Sequence, residues 1–205
     1  MELLKKDYKI LELFMDEPWK KLTFKQIKQL TRNKSDNYVH KALKNFVKSR
    51  ILEDMRIGNV ITYSIAKNEK ALSVIGFLAE FKANNTKHLP NLTRILGKIK
   101  TPFYSFLITG SYAKNKQKND SDIDIVIICD DSSDIKNILA EIKLESELNI
   151  PEVHAYVFKS KEFYEMLINK EENYGKEAAR SNLIISGGKQ FYKIIMEAIQ
   201  NGFNG

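Results

Sequence analysis

Two aspartates one residue apart, Asp122 and Asp124, head the run Asp122-Ile123-Asp124-Ile125-Val126-Ile127-Ile128. Side chains alternate faces along a strand, so the two carboxylates share a side and Ile123 turns the other way. Like charges that close repel unless a cation lies between them. Mg²⁺ suits that place, because it takes hard oxygen ligands from one or two carboxylates and fills its shell with water and substrate phosphates. Upstream, the apolar run 103–109 ends at Gly110-Ser111. A glycine lets the backbone approach a phosphate, and a serine at a helix start offers a hydroxyl and free N–H groups to oxyanions. A phosphate binder beside a cation binder predicts phosphoryl or nucleotidyl transfer, where catalysis is mainly positioning and charge neutralisation.

Around these residues the pattern predicts a strand over 103–109, a short helix over 112–116, a turn at Asn119-Asp120-Ser121 and a second strand over 122–129. A third strand is predicted over 151–158, and alternation puts Glu152, His154 and Tyr156 on one of its faces. Glu152 and His154 have two readings: acid–base groups, or polar residues on a half-exposed strand. A helix follows over 161–168 with Phe163, Met166 and Leu167 apolar, then a short apolar run over 182–186. Gly187-Gly188 reads as a turn that opens a final helix over 189–199. Before the chemical segment, residues 69–83 place Leu72, Ile75, Leu78 and Ala79 on one helical side. Asn84-Asn85-Thr86 breaks that helix, and another is expected from Pro90 to about Lys100.

Gly110-Ser111, followed after nine residues by Ser121-Asp122-Ile123-Asp124-Ile125, resembles the Gly-Ser…Ser-Asp-x-Asp-Leu signature of nucleotidyltransferases of the DNA polymerase β superfamily. The segment from about residue 90 to about 200 is most similar to the small minimal nucleotidyltransferases. Those usually read Gly-Ser-x-Ala-Arg-Gly; here Ala113 is kept, while Lys114 and Asn115 replace the last two residues. Lys114 retains the charge without the bidentate fork of arginine. The resemblance implies a nucleoside triphosphate such as ATP held by Gly110, Ser111, Lys114 and Ser121. It implies Mg²⁺, as one ion or two, on Asp122 and Asp124. It also implies a third carboxylate on a neighbouring strand, a position nearest His154, with Glu152 two residues earlier. Histidine can take a proton near neutrality but is a poor bridging metal ligand. Some members of the family resemble antitoxins that nucleotidylate a partner toxin, so a protein acceptor is one expectation beside RNA or a small molecule.

The N-terminal third reads differently. Leu4, Tyr8, Leu11 and Met15 recur at helical spacing, with Leu3, Ile10 and Phe14 widening the stripe, and Pro18 ends the helix. Thr23 is a predicted N-cap for a helix with Phe24, Ile27 and Leu30 on one face. Ser35 is the next N-cap, before a helix carrying Val39, Leu43, Phe46 and Val47 inward. Strands 51–57 and 60–65 then flank Gly58-Asn59, a tight-turn dipeptide. Helix, helix, turn, helix, hairpin is the order of a winged helix-turn-helix, whose third helix enters the major groove of double-stranded DNA. Lys34, Ser35, Asn37, Tyr38, Lys41 and Lys44, joined by Arg56 near the wing tip, form the expected DNA surface, with lysines on phosphates and Asn37 on a base edge. His40 lies beside them.

Charge agrees with that division. Residues 1–66 hold 14 Lys/Arg against 8 Asp/Glu, a net +6, whereas the rest hold 19 against 18. A basic third on a near-neutral remainder fits a polyanionic partner, although a lysine-rich solvated surface has the same composition. No stretch approaches the roughly 20 apolar residues that span a bilayer, and the N-terminus lacks the pattern of a secretory signal. The single cysteine, Cys129, excludes an internal disulfide and reads as a small buried hydrophobe. The expectation is therefore a cytoplasmic protein. Its fold class is α/β (α+β): a small mixed sheet of nucleotidyltransferase type preceded by a winged helix. The expected units are 1–67, a connecting helix over 68–88, and 89–205, with dimerisation on paired half-sites an accompanying expectation. The alternative function is a DNA-binding regulator whose transferase-like part binds nucleotide or a partner without turnover.

Overall fold

The computed structural model describes residues 7–87, 89–118, 121–147 and 150–205. Its first part runs α1 (Tyr8–Asp16), β1 (Leu22–Thr23), α2 (Phe24–Leu30), α3 (Asp36–Lys48), β2 (Leu52–Ile57) and β3 (Val60–Ile65). Leu3 and Leu4, expected on the first helix, lie outside the described residues. Local chemistry starts α2 and α3. Thr23 Oγ1 accepts from the Gln26 amide at 3.3 Å while Gln26 Oε1 accepts from the Thr23 amide at 2.8 Å, a reciprocal cap. Ser35 Oγ accepts from the Tyr38 amide at 3.3 Å. Val39, Ala42, Leu43 and Phe46 are buried, as the helical period requires, but Leu30 is exposed. In the hairpin Ile57 pairs with Val60, and β1 adds to the free side of β3. The two residues of β1 are too few to show a period, so the sequence does not reveal that strand.

α4 (Glu69–Asn84) begins at Asn68, whose side chain accepts from the Ala71 amide at 3.0 Å. It packs on both sides. Lys82 reaches Glu12 at 2.9 Å and Asp16 at 2.8 Å, tying α4 to α1. On its other side α4 crosses α10 (Gly188–Gln200) so closely that a Cβ on Gly76 would lie 2.4 Å from the Lys189 nitrogen. One apolar core therefore runs from Phe14, Leu43 and Leu52 through Ile75 to Leu107, Val126 and Ile195.

The second sheet has the order β6 (Val153–Lys159), β5 (Ile123–Cys129), β4 (Tyr104–Ile108), β7 (Leu183–Ser186). β5 and β6 are parallel and the other pairs antiparallel, so the sheet is mixed and the class is α+β. Alternation divides its faces. Phe106, Ile108, Ile123, Ile125, Ile127 and Cys129 face a second core with Ile95 of α5 (Thr93–Leu96) and Ile138 and Ile142 of α7 (Ile135–Ser146). Leu107, Val126 and Ile128 face Phe163 of α8 (Ser160–Ile168) and Ile195 of α10. Burial pushes the Cys129 thiol up to about 11, as suits a small core residue.

Two expected elements change and one unexpected helix appears. The helix expected over 90–100 contracts to α5, started by the Asn91 side chain accepting from the Thr93 amide at 3.1 Å and capped at Gly97. The helix expected from Tyr112 starts at Gly110 instead and stops at Ala113 (α6), because Asn115 turns left-handed at φ +51°. A helix without an apolar stripe in the sequence, α9 (Tyr174–Arg180), is started by Asn173, which accepts from the Lys176 amide at 3.2 Å. Among the described residues no helix is long and apolar enough to cross a membrane.

Candidate active site

The site lies where β4 ends and β5 begins. Thr109, the N-cap of α6, donates its amide to the Asp124 carbonyl at 2.9 Å and so pins the head of α6 to β5. Gly110 follows at φ +64°, and a Cβ there would lie 2.1 Å from Asp124 Oδ2. Gly110 is thus required twice: for its left-handed backbone, and as the seat of the Asp124 carboxylate. Ser111 is half-buried in the first turn of α6. Asp122 stands just before β5 and is exposed, while Ile123 between the aspartates is buried.

The parallel register sets His154 beside Asp124. Its Nδ1 lies 3.8 Å from Asp124 Oδ1 and its Nε2 lies 3.7 Å from Glu152 Oε1. The exposed imidazole therefore sits near two carboxylates, beyond hydrogen-bond distance of either. Burial holds the Asp124 carboxyl above its usual pKa; His154 opposes that rise, while Asp122 and then Glu177 add to it.

α9 closes the other side. The Tyr174 hydroxyl is 3.0 Å from Thr109 Oγ1, and its ring leans on Tyr156 at 4.5 Å and 45°. Burial pushes the Tyr174 hydroxyl up to about 12, so it stays a neutral partner. One turn further along α9, Glu177 Oε1 accepts from Lys114 Nζ at 3.1 Å.

The structure therefore brings Gly110, Ser111, Asp124 and His154 together, with Asp122 and Glu152 on the exposed rim. Lys114, expected on a phosphate, is at the far end of α6 and engaged by Glu177. Ser121 is also engaged: its Oγ accepts from the Lys118 amide at 2.8 Å. The turn expected at Asn119-Asp120-Ser121 falls in part on Asn119 and Asp120, which lie outside the described residues. Thr109, Tyr156, Tyr174 and Glu177 join the site without having been singled out for it. Alternation exposed the face of Tyr156, but nothing local marks Tyr174 or Glu177.

On the N-terminal surface Lys34 and the N-cap Ser35, just before α3, and Asn37, Lys41 and Lys44 on it are exposed. A groove of about 390 Å³ separates α3 from the hairpin, lined by His40, Lys41, Lys44, Val47, Asp54 and Tyr63. Two expected members of this surface point elsewhere. Tyr38 packs on the core and its hydroxyl donates to the Asp7 carboxylate of α1's N-cap, so it joins helices instead of facing outward. Arg56 folds back on the hairpin turn, Nε donating to the Gly58 carbonyl at 3.1 Å. His40 stacks on Phe24 with ring centroids 3.9 Å apart, which locks α3 to α2.

A family model of the nucleotidyltransferase domain matches residues 92–178. No curated protein and no solved structure matches the chain. The matched segment takes in β4, α6, β5, β6 and the Tyr174–Glu177 face of α9, and nucleotidyl transfer is the general chemistry that this similarity attaches to the site.

Proposed function

We propose that this protein transfers a nucleoside monophosphate from a nucleoside triphosphate such as ATP, with Mg²⁺, to a hydroxyl of a protein, an RNA or a small molecule. The observation that carries the reading is the seat of Asp124 on Gly110, which joins the carboxylate pair to the head of α6. The donor set fits the cation. Asp122 and Asp124 are hard oxygen donors at one strand end; burial first, and then the charge of Asp122, raise the proton affinity of Asp124, and a bound divalent ion would favour its ionised form. Asp122 and Asp124 would hold the ion, whose contribution is to neutralise charge on the phosphates. Two such carboxylates suit one ion better than two.

The chain's own groups do the rest. Gly110 and Ser111 cradle the triphosphate, and Lys114 supplies positive charge to it once released from Glu177. Ser121, next to Asp122, is placed at the phosphate side of the site. Glu152 and His154 line the rim on the acceptor side, where either could take part in proton transfer, with His154 next to Asp124 in the strand register. The winged helix formed by residues 1–67 holds double-stranded DNA through Lys34, Asn37, Lys41 and Lys44, and so localises the enzyme or regulates its operon. A protein acceptor such as a partner toxin, a cytoplasmic setting and a homodimer on paired half-sites belong to the same reading.

The second reading is a DNA-binding regulator that binds nucleotide without turnover. It is favoured by His154 standing where the family places a carboxylate, and by Lys114 being already paired. The deciding experiment incubates the full chain with each α-labelled nucleoside triphosphate and Mg²⁺, alone and with cell extract, beside the Asp122→Asn/Asp124→Asn double variant. Label transferred to protein or RNA and lost in the double variant supports the enzyme. Binding that depends on both aspartates, without transfer, supports the regulator.

A further inference from the structure

We propose that Glu177 is the proton acceptor for the incoming hydroxyl, and that Lys114 holds it aside until a triphosphate arrives. The inference rests on the nucleotidyl-transfer reading. β6 offers no carboxylate beside Asp124: the partner in register is His154, and both of its nitrogens face carboxylates, at 3.8 and 3.7 Å. Glu152 is separated from Asp124 by that imidazole. The acid next in line comes from α9. Tyr174 and Glu177 are three residues apart and share a helical face. That face lies along α6, since Tyr174 meets Thr109 at 3.0 Å and Glu177 meets Lys114 at 3.1 Å. Glu177 is also close enough for its charge to act on Asp124.

The ion pair that holds Glu177 is weak enough to exchange. Its side chains are 43% and 59% exposed, so solvent screens the attraction. A triphosphate carries several negative charges and competes for Lys114 directly. Once Lys114 turns to the phosphates, the Glu177 carboxylate is free beside the mouth of the site. The acceptor O–H then loses its proton to Glu177. The oxygen lone pair forms the bond to the α-phosphorus, the bond from that phosphorus to the bridging oxygen breaks, and pyrophosphate leaves with the electron pair. Lys114 and Glu177 thus make the base available when the donor is bound.

The test compares the purified full chain with Glu177→Gln, Glu177→Asp and Lys114→Met. Transfer of label is measured, and separately the Kd of a non-hydrolysable nucleoside triphosphate. Glu177→Gln is expected to lower turnover by about 100-fold or more, as for loss of a general base. It is also expected to tighten the nucleotide by about two- to fivefold, because Lys114 is no longer shared. Glu177→Asp should recover part of the turnover, and Lys114→Met should weaken nucleotide binding. Wild-type turnover in Glu177→Gln would overturn the base assignment. Equal losses in the Gln and Asp variants with a matching fall in melting temperature would also overturn it, since they mark a structural role. An unchanged Kd in Glu177→Gln would overturn the latch. Absence of transfer by the wild type would sink the transfer reading and the base with it, while the Kd comparison would still decide the Lys114–Glu177 competition.

Discussion

Gly110 and Gly58 sit at nearly the same left-handed backbone angle, φ +64° and +60°, yet a Cβ added at Gly58 meets nothing within 4 Å. At Gly110 it would lie 2.1 Å from Asp124 Oδ2. Comparing Gly110→Ala with Gly58→Ala therefore separates backbone strain from the clash. A left-handed alanine costs roughly 1–2 kcal/mol, partly offset by the roughly 0.4–1 kcal/mol that alanine removes from unfolded-chain entropy. Gly58→Ala is expected to lose about 1 kcal/mol. In Gly110→Ala the carboxylate must also retreat by about 1 Å and leave its rotamer, adding roughly 0.5–1.5 kcal/mol. At roughly 2–4 °C per kcal/mol for a chain of this size, Gly110→Ala should melt about 1–6 °C below Gly58→Ala. A displacement of that size at a reacting centre costs on the order of 100-fold in rate. Thermal and urea unfolding give the stability terms, and label transfer gives the rate. Repeating Gly110→Ala in an Asp124→Ala background removes the obstacle, so its cost should fall to the Gly58 value. Equal costs for both glycines in the wild-type background, with transfer intact, would refute the assignment of Gly110 as the seat of Asp124.

Lys41→Ala and Lys44→Ala should each weaken duplex DNA binding across sequences and lower the slope of log affinity against log salt by about 0.9 for each phosphate that the lysine neutralises, read by fluorescence anisotropy. An unchanged slope would place DNA elsewhere or nowhere. At the opposite end of the sheet Asp130 accepts from Thr101 at 2.8 Å and Ser133 at 2.9 Å, and hydrogen bonds from Ser132, Thr101 and Ser133 hold its carboxyl well below the usual range. Because its folded pKa is depressed, its contribution is fully present above the ordinary carboxylate range and is lost progressively as pH falls below that range toward the depressed folded value. Asp130→Asn should therefore melt lower than the wild type at pH 7, with the gap closing in acid, and a gap independent of pH would exclude that linkage. Gly76→Ala drives a methyl group against the backbone of α10, 2.4 Å from the Lys189 nitrogen, and overpacking of this kind costs about 1–3 kcal/mol or more. Urea unfolding of that variant at wild-type stability would show that α4 and α10 do not touch through these glycines.

Much of the fold was legible because its signals are local. The alternation of Ile123, Ile125 and Ile127 marks β5, and Thr23 and Ser35 mark helix starts through hydrogen bonds spanning three residues. Gly58-Asn59 marks the hairpin, since a left-handed residue is needed there. The closeness of Gly110 to Asp124 was legible for the same reason: strand periodicity marks the two adjacent strands, and the glycine ends one where the carboxylates begin the other. Lys41 and Lys44 followed from the apolar stripe of α3, which leaves them on the opposite face.

Direction and partnership at long range were not legible. Lys114 and Glu177 are 63 residues apart, and Thr109 and Tyr174 are 65 apart. Their meeting depends on α9 lying along α6, an arrangement without any short-range pattern in Tyr174–Arg180. Tyr38 occupies an off-stripe position by spacing, but Asp7, 31 residues earlier, turns its hydroxyl inward. Hydrophobic period and capping are properties of neighbouring residues, so the sequence by itself determined most elements, though not β1 or α9, and the succession of glycine and carboxylate pair. Which charge meets which across elements is decided by packing, and only the tertiary structure placed His154 between two carboxylates and Glu177 against Lys114.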